Sequence, residues 1–480
     1  YYLELRASLD PQNMDWQMDS GKYFEVILAD YNKALAIYEP ALKYAQQHYG
    51  KLHEKTVVLY NCAGLTYSAQ GNYEKALEYY NKALEIQVKV LGLEHPDIAT
   101  SYNNIGTLYH YQGNYDKALE YYNKALEIDK KKDCEHLGIA SLCNNIGTIY
   151  DVQGDYDKAL EYHNKALDIR EKNLGFEHPD IANSYNNIGF VYYKQGIYDK
   201  ALEYYNTALE IQKKVFGLEH PDVANSYNNI GTIYDVQGNY NMALEYHNKA
   251  LDIREKVFGF EHSDIANSYN NIGSIYKNQG NYDKALEYYN KALEIDKKVL
   301  GLEHPDVAIS YNNIGSVYYN QGNYDKASEY YNTALDIRKK VLSLEHPDVA
   351  ISYNNIGLVY LYQGDCDKAL DYYNKALEID KKVFGLEHPS IATLYSNIGL
   401  VYHYQGDYDK AMEYYNKALE IQKRVLKLNH PGIATLYYNI GIIYYSQGNY
   451  ENALEFNNKA LEIIEKIFGK EHDQTKKLIE

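Results

Sequence analysis

The chain is 480 residues long, carries a formal net charge of −18 at pH 7, and holds 58 tyrosines against 9 phenylalanines and 1 tryptophan. A surface this acidic repels phosphate backbones, and the longest basic run is only Lys130-Lys131-Lys132, so nucleic acid is excluded as a partner. No stretch approaches the roughly 20 apolar residues needed to span a bilayer, so no membrane insertion is expected.

In chain order, residues 1–51 read as a tail followed by a degenerate repeat, in which Tyr31 to Leu35 spells Tyr-Asn-Lys-Ala-Leu at the phase of a second helix. Ten units of 42 residues fill 52–470, and 471–480 begin an eleventh that is not completed. The period is set by a glycine at Gly64, Gly106, Gly147, Gly189, Gly231, Gly273, Gly315, Gly357, Gly399 and Gly441. The spacing is 42 throughout, apart from 41 between Gly106 and Gly147. Self-similarity of this kind marks an array in which each unit contacts its neighbours and no central core is needed.

Two helices are predicted in each unit, numbered from the Glu of Glu-His-Pro. Proline at position 3 (Pro96, Pro179, Pro221, Pro305) opens helix A, where its missing N–H costs nothing. Apolar residues at positions 5, 9, 12 and 16 make one helical stripe. Gln-Gly closes helix A, as at Gln112-Gly113 and Gln321-Gly322, because glycine takes the left-handed conformation readily. The next Asn or Asp (Asn114, Asp155, Asn323) caps helix B. Helix B is apolar at positions 22, 25, 26, 29, 32, 33 and 35, and its outer face sets Glu120 one turn from Lys124. The glycine at position 13 stands inside helix A at a cost of about 1 kcal/mol relative to alanine. Repetition of that cost in every unit implies close packing. Gly106, Ala118 and Ala125 let the two helices approach, with Tyr109 and Tyr122 filling the space alongside. The fold class is all-α, a solenoid of antiparallel helix hairpins.

The spacing of Tyr102, Ile105, Gly106, Tyr109, Ala118, Tyr122 and Ala125 resembles the tetratricopeptide repeat. That family's aromatic–Leu–Gly–Tyr…Ala–Phe–Ala signature matches unit after unit. The 42-residue length and the His-Pro opening are similar to the long-repeat subclass found in kinesin light chains. The proline that closes helix B in shorter family members is absent here, which suits a longer helix B. The resemblance implies a right-handed superhelix whose helices A line a concave groove for a protein or peptide.

By the family's geometry, position 11 faces that groove. It is asparagine at Asn104, Asn145, Asn187, Asn229, Asn271, Asn313, Asn355, Asn397 and Asn439. Each amide offers one acceptor and two donors, so the column suits the backbone of an extended peptide. The alternative is that these amides bridge neighbouring units. Positions 7, 14, 17 and 18 vary while the rest barely changes, and among them Tyr193, Lys194, Lys277, Tyr319, Leu361 and Tyr445 are candidate groove contacts. The early units are polar there and the late ones apolar and aromatic, as binding anchors are. Drift at unconstrained positions would leave a similar pattern. The family's carboxylate clamp needs Lys and Arg beside the groove asparagines. Only Lys194 and Lys277 stand at positions 17 and 18, so chaperone tails are not expected as ligands.

Histidine fills position 2 at His53, His95, His136, His178, His220, His262, His304, His346, His388, His430 and His472. Neighbours lie a whole repeat apart, too far to share a metal ion, so the column reads as a turn residue ahead of the proline. No metal and no cofactor are expected. Cys62, Cys134, Cys143 and Cys366 show no metal-ligand spacing and read as thiols of a reducing compartment.

No phosphate-binding glycine loop and no HExxH motif occurs, and Ser, His and Asp recur in every unit rather than clustering in one. No catalysis is expected. The leading function is a cytoplasmic protein-interaction scaffold holding an extended peptide or partner domain in the groove. The alternative is a structural protein that joins to itself end to end, since the last helix B (Ala460, Leu461, Ile463, Ile464, Phe468) looks poorly covered. A head-to-tail contact of this kind does not close and builds a filament.

Overall fold

The structure, a computed structural model, describes residues 13–24, 31–132, 137–426 and 430–469. The tail to residue 12, His136, Cys134 and the unfinished unit with His472 lie outside the described residues. Among the described residues the elements are helices, with no strand. Helix A has 16 residues in every unit, from Glu54–Ala69 to Pro431–Ser446. Helix B has 18 or 19, as in Tyr282–Val299 and Tyr450–Phe468. Ahead of these hairpins, Met14–Lys22 packs on Tyr31–His48. No described helix is long and apolar enough to cross a membrane.

The helix ends follow from the expected residues, with one addition. Asn114 Oδ1 accepts the N–H of Lys117 at 3.3 Å, and Asp155 Oδ1 that of Lys158 at 3.2 Å, so position 21 caps helix B where it is Asn or Asp; Ile197 makes no such bond. Helix A is capped by the position-2 histidine, an unusual residue for that place. His220 Nδ1 accepts the N–H of Asp222 at 3.2 Å, and the proline between them begins the helix.

The glycine at position 13 lies flat against the ring at position 29. A Cβ added to Gly106 would sit 2.8 Å from Tyr122 Cδ1, and one added to Gly273 would sit 2.8 Å from Tyr289 Cε1. Real Cβ atoms do not approach that closely. Tyr122, Tyr289 and Tyr373 are among the most buried side chains of the chain. Where His163 and His247 replace the tyrosine, their imidazoles pack on Gly147 and Gly231 in the same way. The degenerate unit repeats the device with Gly21 against Tyr38. The pair is hidden in the sequence because Tyr38 stands one residue further along than the repeat spacing.

The other tyrosines have a second use. Tyr121 lies between Tyr102 and Tyr109, with ring centroids 5.8 and 5.5 Å away, and Tyr288 stands likewise between Tyr269 and Tyr276. The ammonium of Lys291 sits 5.0 Å over the Tyr288 ring. Tyrosine gives such rings apolar bulk with a wet edge, and Phe456 takes the same place in the last unit, under the ammonium of Lys459 at 4.5 Å.

Units join through a buried polar bond that the sequence reading left unassigned. Where position 8 is serine, position 36 of the preceding unit reaches it; Leu142, Leu394 and Leu436 take that place in three other units. Arg170 donates to Ser184 Oγ at 2.6 Å and Arg338 to Ser352 Oγ at 2.7 Å. Ser226 donates to Gln212 at 2.7 Å and Ser310 to the Asp296 carboxyl at 2.9 Å. Burial pushes the Asp296 carboxyl up to about 7 and holds the Arg338 guanidinium down.

Between five and six units along, the superhelix returns onto its own first turn. His304 Nε2 lies 3.0 Å from the carbonyl of Ala69, His346 Nε2 3.0 Å from that of Tyr111, and His388 Nε2 2.8 Å from that of Val152. Each imidazole therefore accepts a cap bond at Nδ1 and donates across the turns at Nε2. The two partners are 235 residues apart at the first two steps and 236 at the third, the offset absorbing the 41-residue unit. Pro347 covers Gly113 (φ +71°) so closely that an added Cβ would be 2.7 Å from its Cδ. Beside it, Tyr115 stacks on Phe384 at 5.6 Å.

Two outcomes follow. Gly273→Ala should destabilise the array by about 1–3 kcal/mol in urea unfolding, the range for overpacking a filled core. A double-mutant cycle with Tyr289→Ala should recover part of that loss, and strict additivity would mean the ring is not the obstacle. The second outcome concerns acid. Burial holds the imidazoles of His388 and His430 down to about 4, against an unfolded value near 6.5. Their contribution to stability is thus complete above pH ~6.5 and is lost as pH falls towards 4. Asp296 at about 7 and Asp380 at about 6 act oppositely, losing their contribution as pH rises from ~4 through those values. Global melts mix both signs, so the measurement is the imidazole NMR titration of His388. A midpoint near 6.5 would mean that this contact is open to water.

Candidate functional site

The candidate residues all stand on helix A, and the structure shows how they relate across unit boundaries. The position-11 asparagines meet the position-10 asparagines of the preceding unit. Asn145 Nδ2 donates to Asn103 Oδ1 at 2.8 Å, Asn187 to Asn144 at 2.6 Å, and Asn271 to Asn228 at 2.7 Å. Asn313 donates to Asn270 at 3.3 Å, Asn355 to Asn312 at 2.7 Å, and Asn397 to Asn354 at 2.7 Å. Asn104, Asn229 and Asn439 are half-buried in the same column. In these six pairs the bond engages one of the two donors on the position-11 amide, so bridging units and meeting a ligand are compatible duties.

Where histidine replaces the position-29 tyrosine, the ladder gains a third member. His163 Nδ1 lies 3.1 Å from Asn144 Oδ1 and His247 Nδ1 2.8 Å from Asn228 Oδ1. Burial holds both imidazoles down to about 4, so each is neutral near pH 7 and donates from Nδ1. The position-10 asparagines were visible in the sequence as the first half of Asn-Asn. Their part as acceptors was not, because the donor lies about one repeat away.

Positions 17 and 18 divide into three groups. Lys194 and Tyr445 are open to solvent. The Lys194 ammonium sits 5.1 Å over the Phe190 ring, and Tyr445 is 66% exposed, edge-on to Tyr450 at 5.4 Å. Tyr193, Lys277 and Tyr319 are half-buried. Tyr193 lies 6.0 Å from Phe190 and 6.1 Å from Tyr198. Burial lowers the Lys277 ammonium, while the nearby Asp235 carboxylate raises it. Tyr319 meets Tyr324 at 5.9 Å and Tyr362 of the next unit at 5.6 Å. Leu361 departs from expectation: it is 4% exposed and belongs to the continuous core of the late units. A side chain with no polar end gains by packing there.

Two acids at position 17 are drawn into inter-unit contacts. The Asp235 carboxylate accepts the Asn278 amide at 3.1 and 3.2 Å. Asp151 is buried, which raises its carboxyl to about 6 against the opposing effect of Lys194. A cleft of about 530 Å³ lies elsewhere. It runs along the contact between superhelical turns, lined by Tyr73, Asn114, Tyr115, Val341, Leu342 and Val383.

The tetratricopeptide repeat profile matches the chain in overlapping stretches at 24–87, 57–131, 138–196, 180–256, 264–340, 306–382, 348–424, 390–466 and 432–477. No curated protein matches it. Among solved structures, a Rap protein complexed with competence and sporulation factor is similar with a TM-score of 0.52 and 18% identity, over 78% of this chain and 99% of that one. The apo form of RapI has a TM-score of 0.45 and 21% identity, over 60% and 98%. BtubC (BKLC) from P. vanneervenii has a TM-score of 0.38 and 24% identity, over 49% and 91%.

Removing one rung of the amide ladder should cost about 1 kcal/mol, the net worth of a typical hydrogen bond. Asn271→Ala and Asn355→Ala, each followed by urea unfolding, measure it. Midpoints equal to that of the parent chain would leave the column without a structural duty.

Proposed function

The chain belongs to the tetratricopeptide repeat family, and from that premise we propose that it is a protein-interaction scaffold holding an extended peptide or a partner domain along helix A. The observation that carries this reading is a division of labour. The positions most constant from unit to unit do the packing: Gly273 against Tyr289, and the position-2 histidine, as His346 at the turn-to-turn contact. Among the positions that differ between units, Lys194, Tyr404 and Tyr445 are exposed and left to meet something else. A rigid frame with variable exposed positions is where recognition is normally placed.

The late units are the strongest part of the surface. Tyr319, Tyr362 and Tyr404 follow one another across three units, with centroids 5.6 and 6.2 Å apart, and Tyr362, Tyr404 and Tyr445 are all exposed. A strip of rigid aromatic rings with hydroxyl edges is the usual material of a binding hot spot. The net charge of −18 favours a partner carrying basic residues around its apolar anchors.

The test is a photo-crosslinking residue placed at Lys194, at Tyr445, or at the exposed helix B residue Glu287. Capture of one partner from the first two places and not from the third is the expected result. Tyr404→Ala with Tyr445→Ala should then weaken that partner by roughly tenfold or more, each truncation of a hot-spot ring costing on the order of 1–2 kcal/mol. Capture confined to Glu287 would place recognition on the outer face and overturn the groove reading.

A further inference from the structure

The contact between superhelical turns uses one edge of each early unit and the opposite edge of each late unit. The upper edges, where helix A passes to helix B, are covered in the early units by Pro305, Pro347, Pro389 and His430. In the late units the matching glycines Gly322, Gly364, Gly406 and Gly448 have nothing within 4 Å of an added Cβ. The lower edges show the reverse. His304 and His346 are 11% and 10% exposed, whereas His95, His178 and His220 are 39–40% exposed. The edge tyrosine is 7% exposed at Tyr115 and 65% at Tyr450, with Tyr282, Tyr324 and Tyr408 half-buried.

We propose that a second copy of this chain docks on the first through that same contact, its early units seated on the late units, so that the superhelix continues from one molecule to the next. The occupant is defined by chemistry the molecule already displays on itself. A capping histidine presents Nε2–H to the last carbonyl of a helix A. A proline ring lies on a left-handed glycine. An apolar turn covers an edge tyrosine, as Phe384 covers Tyr115. Every one of these groups recurs in open form: the imidazoles of His95, His178 and His220 on one edge, and Gly322, Gly406 and Tyr450 on the other.

Register follows from the internal contact, in which successive lower edges land on successive upper edges, 235 or 236 residues apart. Continued at the same pitch, His95 of the second copy meets the turn at Gly322, His178 the turn at Gly406, and His220 the turn at Gly448. The contact is heterologous, so it does not close, and growth along one axis results. The net charge of −18 opposes it, so assembly strengthens as salt screens the repulsion.

Analytical ultracentrifugation and negative-stain microscopy over a concentration series, at low and high salt, make the test. The parent chain is expected to gain mass with concentration, more steeply in high salt, and to form rods of constant width. The triple variant His95→Asp, His178→Asp, His220→Asp retains a good helix cap but sets a carboxylate against the carbonyl end of a helix. It is expected to melt like the parent and to stay monomeric. Tyr450→Glu alters the opposite edge independently and is expected to block growth as well. Mixing the two variants leaves one sound edge on each molecule and should yield dimers and nothing longer. A parent chain that stays monomeric throughout, or variants that assemble as it does, would overturn the proposal.

Discussion

Everything in this array depends on a missing side chain. The glycine at position 13 lets the ring at position 29 lie directly on the backbone of helix A, as Tyr289 lies on Gly273. That contact sets the distance between the two helices of a hairpin. Because it recurs with little variation from Gly64 to Gly399, every hairpin has nearly the same shape. Identical hairpins stacked by identical interfaces must generate a regular superhelix, whose pitch is the per-unit rotation accumulated over the array. The substitution of His163 and His247 preserves the device, since an imidazole is also flat and, kept neutral by burial, enters the core at low cost.

The regular pitch brings distant units together. The histidine that caps helix A has a spare ring nitrogen, and once the superhelix has come round, that nitrogen meets a helix end 235 residues earlier. A helix C-terminus has carbonyls without intrahelical partners, so the donor meets a standing need. Asn, Asp and Ser would cap as well but are too short to reach a second turn. The choice of histidine is therefore explained by the two ends of the imidazole rather than by the cap alone. Its exchangeable proton makes the same contact sensitive to acid, in opposition to the buried Asp296 and Asp380.

Between units the molecule uses polar bonds as well as apolar packing. Arg, Gln and Asp all occur at position 36, and where the next unit offers a serine each meets it in a different way. Near-identical repeats risk pairing out of order, and a buried polar column with varied partners penalises some of those alternatives. The asparagine ladder adds a second series of bonds across the same boundaries. With these duties assigned, the remaining variation, at Lys194, Tyr404 and Tyr445 among others, stands out against a background that is spoken for.

The hairpins, their caps and the packing role of the glycine were legible in the sequence, because each depends on residues within one 42-residue unit. Position 21 caps helix B as its Asn and Asp residues imply, and Tyr122 meets Gly106 as their spacing implies. What the sequence could not disclose is any property that needs the accumulated rotation. The pairing of Asn145 with Asn103 requires two units to be placed side by side. The burial of Leu361, where an open groove contact was expected, requires the flanking units. The meeting of His346 with Tyr111 and of Tyr115 with Phe384 requires more than five units, each adding a small angle that no local pattern encodes. The sequence alone determined the unit and its order in the chain. The tertiary structure alone decided which edges are covered and which are left open, since coverage is set by the summed geometry of the whole turn.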